Sequence, residues 1–433
     1  MKRIIGIIAA AMLLLNSCKG VGIFAYIAAT DKIDLGQLPD GVGASALLQI
    51  ENEVGTTHYN YFSSGGALYR RNISDRSEST TNRWESVSLP SDWTNIQSIA
   101  ASNDKLLLAL TKASANGMSV SLYYYNEAEQ FKPISTSILD SSESTFKTVI
   151  LYSPNPAANI FYMNILEHSG DFSKETDFKG SSLYLLDNSG NISEAAGTWE
   201  TALAKSYISG AAYDGNSIYL FSLINPDDET GTLTDENGTA ITGTITNASG
   251  TVTNTPPVLP CHALSWMPDG GTAKTAAVFI MSSWKQEGSY YPLYISTNGS
   301  DWKSLDSSYP FASFLDVRGT EAGGDADGTY DAPDDLILAG TRNLSSTSNG
   351  SGYMEIIVKD ADPAKWTIRT DKNSFTFAKN NTYIASDLSS DSITGLSLLD
   401  AYVYASTDDD GLWRINADDE DKHKDGSLEW ARE

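Results

Sequence analysis

Apolar and aromatic positions along this chain come in short bursts, many of them alternating with polar residues, and clusters of Gly, Asn, Asp and Ser separate the bursts. Alternation with period two marks strands with one face buried, and such clusters are turn formers. No stretch past the first residues carries the period of an amphipathic helix, so the pattern predicts an all-β protein. The clearest unit is a strand, a Gly-containing tight turn, and a second strand opening on an apolar-aromatic pair. Tyr59-Asn60-Tyr61-Phe62-Ser63-Ser64-Gly65-Gly66-Ala67-Leu68-Tyr69 near the start is echoed by Tyr402-Val403-Tyr404-Ala405-Ser406-Thr407-Asp408-Asp409-Asp410-Gly411-Leu412-Trp413 near the end. Glycine there supplies the positive φ that tight hairpins need.

The aromatic of the second strand recurs at Tyr123, Tyr184, Tyr294 and Tyr353 between Tyr69 and Trp413. The intervals are 54, 61, 110, 59 and 60 residues, and the interval of 110 hides one degenerate member. Six steps of about 57 residues, slightly above the length of a long propeller repeat, imply seven units. The fold expected is a β-propeller of seven four-stranded blades, with six or eight as alternatives. A second aromatic follows each landmark: Trp84, Phe131, Trp199, Trp302, Trp366 and Trp430. On an outermost strand it could pack into the next blade. The stretch from Asn225 to Pro260, poor in apolar residues, reads as a long hairpin or loop insertion.

The start of the chain has another logic. Lys2 and Arg3 precede an apolar run from Ile4 to Leu15, then Asn16-Ser17-Cys18. A basic start, a short apolar stretch and a small residue before a cleavage point make an export signal. Leu15-Asn16-Ser17-Cys18 resembles the lipobox of bacterial lipoproteins, which implies diacylglyceryl transfer to the Cys18 sulfur and cleavage before it. The organisation expected is a lipoprotein signal peptide over 1–17, a lipidated N-terminus and tether or closing strand over 18–43, and one propeller domain over 44–433. The only other cysteine is Cys261, left without a partner if Cys18 carries lipid.

Charge narrows the partners. The formal net charge of −26 comes from 55 acids against 29 bases, which excludes a nucleic-acid partner because a polyanion would be repelled. Loss of Lys2 and Arg3 with the signal leaves −28, so headgroup attraction cannot hold the body at a membrane and the lipid on Cys18 must.

Two turns resemble the Asp-box, or BNR, hairpin of sialidase-type propellers, whose Asp caps its own backbone amides. They are Ser296-Thr297-Asn298-Gly299-Ser300-Asp301-Trp302, with Asn298 standing for the Asp, and Ser406-Thr407-Asp408-Asp409-Asp410-Gly411-Leu412-Trp413. The resemblance implies an architecture and not an activity, since these hairpins lie away from catalytic centres in that family. A sialidase-like enzyme also needs an arginine triad, and the family's arginine motif has no counterpart near the first strand.

Other chemistry is sparse. Gly324-Asp325-Ala326-Asp327-Gly328-Thr329-Tyr330-Asp331 alternates acids as calcium loops do, but its spacing departs from the EF-hand pattern. A solvated acidic loop is expected over Asp325 to Asp331, with calcium as the alternative. His58, His168, His262 and His423 are scattered, and Cys261-His262 are adjacent on a strand and so face opposite ways. No metal, cofactor or catalytic residue is assigned. The Tyr123-Tyr124-Tyr125 and Tyr290-Tyr291 runs are expected in the core, with ligand binding as the alternative. The function expected is a non-enzymatic, lipid-anchored interaction or scaffold protein of the bacterial cell envelope, periplasmic or surface-exposed. Its partner is expected to be an envelope protein bound through propeller loops. The rival is a glycan-binding or glycan-hydrolysing propeller.

Overall fold

The computed structural model describes residues 43–433 apart from 46, 51–58, 65, 73–83, 115–116, 141–144, 171–175, 214, 226–229, 242–243, 247–251, 254–260, 267–275, 283–288, 325–334, 344–350, 379–382, 384–385, 400 and 419–428. Cys18 with its leader, the acidic loop Asp325 to Asp331, His58 and His423 lie outside the described residues.

Seven antiparallel sheets follow one another along the chain, each a blade of a seven-bladed β-propeller. Blade 1 holds β1 (Leu48–Gln49), β2 (Tyr59–Ser64), β3 (Ala67–Asn72) and β4 (Glu85–Val87). Blade 2 holds β5 (Asn95–Ala101), β6 (Leu106–Ser114), β7 (Gly117–Tyr125) and β8 (Lys132–Ile134). Blade 3 holds β9 (Phe146–Tyr152), β10 (Ile160–His168), β11 (Phe178–Asp187) and β12 (Ile192–Glu194). Blade 4 holds β13 (Tyr207–Tyr213), β14 (Ile218–Asn225) and β15 (Thr230–Asp235), its outer strand reduced to a bridge between Thr234 and Ala240. After the hairpin β16 (Thr244–Thr246) and β17 (Val252–Thr253), blade 5 is built from β18 (Cys261–Trp266), β19 (Ala276–Ser282), β20 (Tyr291–Ser296) and β21 (Asp301–Ser307). Blade 6 holds β22 (Phe311–Asp316), β23 (Leu336–Thr341), β24 (Tyr353–Ile357) and β25 (Thr367–Arg369). Blade 7 holds β26 (Ile393–Leu399), β27 (Tyr402–Thr407), β28 (Leu412–Asn416) and β29 (Ala431–Arg432).

The stretch expected as an insertion between Asn225 and Pro260 divides in two. Its first part is the third strand of blade 4, and β16 then adds to the edge of blade 5 by parallel pairing with β21.

The first strand of each blade lies innermost and contacts the first strand of the next, from β1 through β5, β9, β13, β18 and β22 to β26. The second strands are covered by neighbouring blades on both faces. They therefore read as continuous apolar runs, Leu106-Leu107-Leu108-Ala109-Leu110 in β6 and Leu336-Ile337-Leu338-Ala339 in β23, every one of them buried. Apolar clusters fill the junctions. One, holding Leu107, Leu122, Val149, Phe161 and Met163, joins blades 2 and 3, and another, holding Phe62, Tyr69, Trp84, Tyr404 and Leu412, joins blades 1 and 7. Each such side chain contributes about 1.5–3 kcal/mol of burial.

Innermost strands have one unpaired edge, and polar side chains of the preceding blade cover it. Gln97 Oε1 accepts from Val149 N–H at 2.8 Å, Ser98 Oγ from Leu151 N–H at 3.0 Å, and Asn164 Oδ1 from Ile208 N–H at 2.8 Å. Ser282 Oγ accepts from Phe311 N–H at 2.9 Å. Four inner strands carry a bulge near their first residues, between Ile96 and Ser98, Ile208 and Gly210, Phe311 and Ser313, and Ile393 and Gly395. An extra residue there re-aims side chains at the ring's inner rim.

The ring closes between its first and last blades. Ala44 N–H donates to Thr407 O at 3.0 Å and Ser406 Oγ–H to Ser45 O at 2.7 Å.

Candidate functional site

Strand direction sorts the loops. Asn95 at the start of β5 pairs with Thr111 near the end of β6, and β6 turns into β7 at that same end. The connections into each blade and the turns from second to third strands therefore share one face of the ring. On it, between blades 2 and 3, lies a cavity of about 490 Å³.

Its blade 2 wall is Thr94, Asn95, Gln97, Thr111, Lys112, Ala113 and Met118, and its blade 3 wall is Phe146, Lys147, Thr148, His168 and Gly170. None of these is acidic, in a chain whose acids outnumber bases 55 to 29. Lys112 Nζ sits 4.8 Å from the centroid of the Trp93 ring, a cation–π contact, and Trp93 packs edge-on against Tyr123. Lys147 Nζ–H donates to Ile138 O at 2.7 Å and lies 3.5 Å from the half-exposed Glu167 carboxylate. His168 is buried. Its Nδ1 lies 2.6 Å from Gly170 O, which only accepts, so Nδ1 carries the proton; Nε2 faces Thr148 Oγ1 at 3.0 Å. Met118 is 46% exposed at the rim, one of two large apolar side chains so exposed among the described residues.

Elsewhere on this face blade 7 gathers acids. Asp391 is pushed up to about 7 by burial and by the charges of Asp410, Asp409, Asp387 and Asp408. Arg432 Nη2 reaches Asp410 at 2.9 Å. Among the described residues no group of three His, Cys, Asp or Glu is arranged to hold a metal ion.

The two turns compared with Asp-box hairpins occupy different places. Ser296 to Trp302 links the third and fourth strands of blade 5 and caps itself: Asn298 Oδ1 accepts from Ser300 N–H at 2.9 Å and Asp301 N–H at 2.8 Å, and Trp302 Nε1–H donates to Gly299 O at 3.2 Å. Ser406 to Trp413 links the second and third strands of blade 7, on the opposite face of the ring. Carboxylates cap the equivalent third-to-fourth turns of blades 3 and 4, where Asp187 accepts from Ser189 and Asn191 N–H and Asp235 from Asn237 and Thr239 N–H.

Arg71 and Arg414 pair with Glu433, Arg70 with Glu85 and Glu127, Arg318 with Asp316, and Arg369 with Glu355. These described arginines are each paired with a carboxylate, two of them with the same one. Tyr124 and Tyr125 are in the core, with their hydroxyls donating to Asp187 O and Glu127. Cys261 and His262 lie on β18, and their side chains are outside the described ones. Nothing in the sequence singled out the cavity. Its residues come from five strand ends in two blades, and only the Lys112 to Met118 hairpin, with a Met beside a polar tip, hinted at an apolar group left in solvent.

No family model matches the sequence, and no curated protein matches it. Solved structures resemble it at low identity. One of YCF48 bound to D1 peptide is 10% identical, with a TM-score of 0.46 over 87% of this chain and 93% of that one. One of YjhT is 11% identical, with a TM-score of 0.39 over 77% and 98%. The PQQ-bound aldose sugar dehydrogenase from Streptomyces coelicolor is 11% identical, with a TM-score of 0.34 over 88% and 93%. The assignment of the fold rests on the strand topology above, and these distant likenesses assign no activity.

Proposed function

We propose that the protein is a lipid-anchored scaffold of the bacterial envelope that binds a protein partner through the loop-bearing face of its ring. The observation that carries the binding role is the cavity between blades 2 and 3. It sets the exposed Met118 beside Lys112, whose ammonium pairs with no carboxylate among the described residues, and none of its described lining residues is acidic. Rigid blades fix the packing, while the loops at their ends are free to vary and so to recognise. Export and anchoring rest on the leader and Cys18. A photo-crosslinking residue placed at Met118 should capture a discrete envelope protein in cells. One at the other exposed apolar residue, Ile160 on the opposite face, should not. No adduct at Met118, or the same adducts at both positions, overturns the proposal.

A further inference from the structure

We infer that the cavity between blades 2 and 3 takes an acidic side chain of an extended protein segment, an Asp or Glu flanked by an apolar residue, with Lys112 as its anchor. This deepens the binding role proposed above and rests on it.

Charge complementarity carries the argument. The two ammonium groups of the lining differ in their partners. Lys147 is held by Ile138 O and Glu167. Lys112 has the Trp93 ring as its neighbour, and no carboxylate pairs with it among the described residues. An aromatic face orients an ammonium without neutralising it, so Lys112 keeps its charge and its donors for an incoming anion. Glu167 beside Lys147 and Asp177 beside Gly170 bring acids to the blade 3 rim, so the cationic spot is the blade 2 wall around Lys112, in a chain whose net charge of −26 repels acidic partners elsewhere. Such contrast fixes register more than it adds affinity.

The source of the carboxylate follows from the backbone. Capture of a chain terminus uses free amides arranged as a nest. Three amides at or beside this wall are spent, which leaves no run of successive free donors among them: Thr94 N–H donates to Thr111 O, Ser169 N–H to Asp177 O and Val149 N–H to Gln97 Oε1. The side-chain donors of the blade 2 wall, Lys112 and the amide groups of Asn95 and Gln97, suit a side-chain carboxylate. Met118, Ala113 and Phe146 beside them offer apolar contact to the flanking residue. A methionine adapts its shape, so the apolar residue can vary while the acid is required.

The test is a selection of displayed, C-terminally blocked random dodecapeptides on the purified full chain, run beside its Lys112→Gln variant and a Lys132→Gln variant. Lys132 is an exposed lysine on β8 outside the cavity. Peptides recovered on the wild type and on Lys132→Gln should be enriched in Asp or Glu next to an apolar residue. That enrichment should be lost on Lys112→Gln, and replacing the selected acid by its amide should weaken binding about tenfold. Acid-independent peptides, no enrichment, or identical selections on Lys112→Gln and wild type would overturn the inference. A Met118 crosslink that survives in Lys112→Gln cells would leave the binding role standing while removing the anchor.

Discussion

Nη1 of Arg71, on the third strand of blade 1, lies 2.9 Å from both carboxylate oxygens of Glu433, the residue that follows the last strand of blade 7. Both side chains are buried, and the same carboxylate accepts from Trp84 Nε1–H at 2.9 Å and meets Arg414 Nε at 2.5 Å. Two cations and an indole thus converge on one anion at the junction that closes the ring. Blades elsewhere are covalently consecutive, but blades 1 and 7 are joined by non-covalent contacts, this cluster beside the apolar cluster of Phe62 and Trp84 and the bond from Ala44 N–H to Thr407 O.

Loss of one partner should therefore be costly. Glu433→Gln leaves the buried Arg71 and the partly buried Arg414 sharing a neutral amide, and should destabilise the protein by about 3 kcal/mol in urea unfolding. Lys365→Gln, at an exposed pair on blade 6, should change stability by under about 0.5 kcal/mol. Equal, small effects would mean that the closure does not depend on the ion cluster.

The ring was legible in the sequence because its landmarks sit on equivalent strands. Tyr69, Tyr123, Tyr184, Tyr294, Tyr353 and Trp413 all fall on the third strand of their blades, and the hidden member is β15 of blade 4, Thr230-Gly231-Thr232-Leu233-Thr234-Asp235, which has no aromatic. The two echoing hairpins are the same turn of blades 1 and 7, with Gly66 at φ +79° and Gly411 at +74°. The expectation for the outer aromatics needs correction. Trp84, Phe131, Trp302 and Trp430 stand at outer strands but pack on the preceding blade: Trp430 meets Tyr353 and Phe377 of blade 6 and its exit loop, and Trp302 joins Ala212 and Leu233 of blade 4. Trp199 stands instead in a short helix between blades 3 and 4. Sequence periodicity registers where an aromatic recurs and not which neighbour it faces. The cavity was illegible for a related reason: Lys112 and Lys147 are 35 residues apart and meet only because one blade follows another.

Self-capping turns between third and fourth strands give a smaller, local prediction. Asn298→Ala removes the acceptor for Ser300 and Asp301 N–H and should cost about 1 kcal/mol. Asn298→Asp combined with Asp301→Asn keeps an acceptor there, as Asp187 does opposite Asn191 in blade 3, and reverses the 2.8 Å bond that Asn298 Nδ2–H donates to Asp301 Oδ2, so it should be close to neutral. Denaturant midpoints of the two variants check this. Equal losses would show that the side-chain oxygen is not what holds the turn.

Asp391 makes stability depend on pH. Its folded carboxyl titrates near 7, raised from 3.8 by burial and by Asp410, Asp409, Asp387 and Asp408. The folded state thus holds the proton more tightly than the unfolded one, so the contribution is complete below the unfolded value and is lost as pH rises through 7. Asp391→Asn mimics the protonated form. It should leave stability unchanged near pH 3, below the unfolded value, and raise it at pH 8 by on the order of 1 kcal/mol, allowing for solvent screening at this partly exposed site. Thermal unfolding at the two pH values reads the difference directly. A stabilisation of the same size at both would assign the gain to packing and not to charge.

Anchoring can be separated from surface attraction by the body's own charge. Cleavage before Cys18 would leave a chain of −28, which opposes adsorption to anionic headgroups, while each buried methylene of an acyl chain adds about 0.8 kcal/mol toward the membrane. A lipid on Cys18 would therefore outweigh the charge repulsion, and membrane association should resist high salt. Wild-type cells fed a clickable palmitate analogue should yield labelled protein in the membrane fraction, in both low and high salt. Cys18→Ala should be unlabelled and leave that fraction. An unlabelled wild type would remove the lipid anchor. A labelled protein released by salt would instead place the holding force on a charged partner at the membrane surface, since the acyl chains cannot respond to screening.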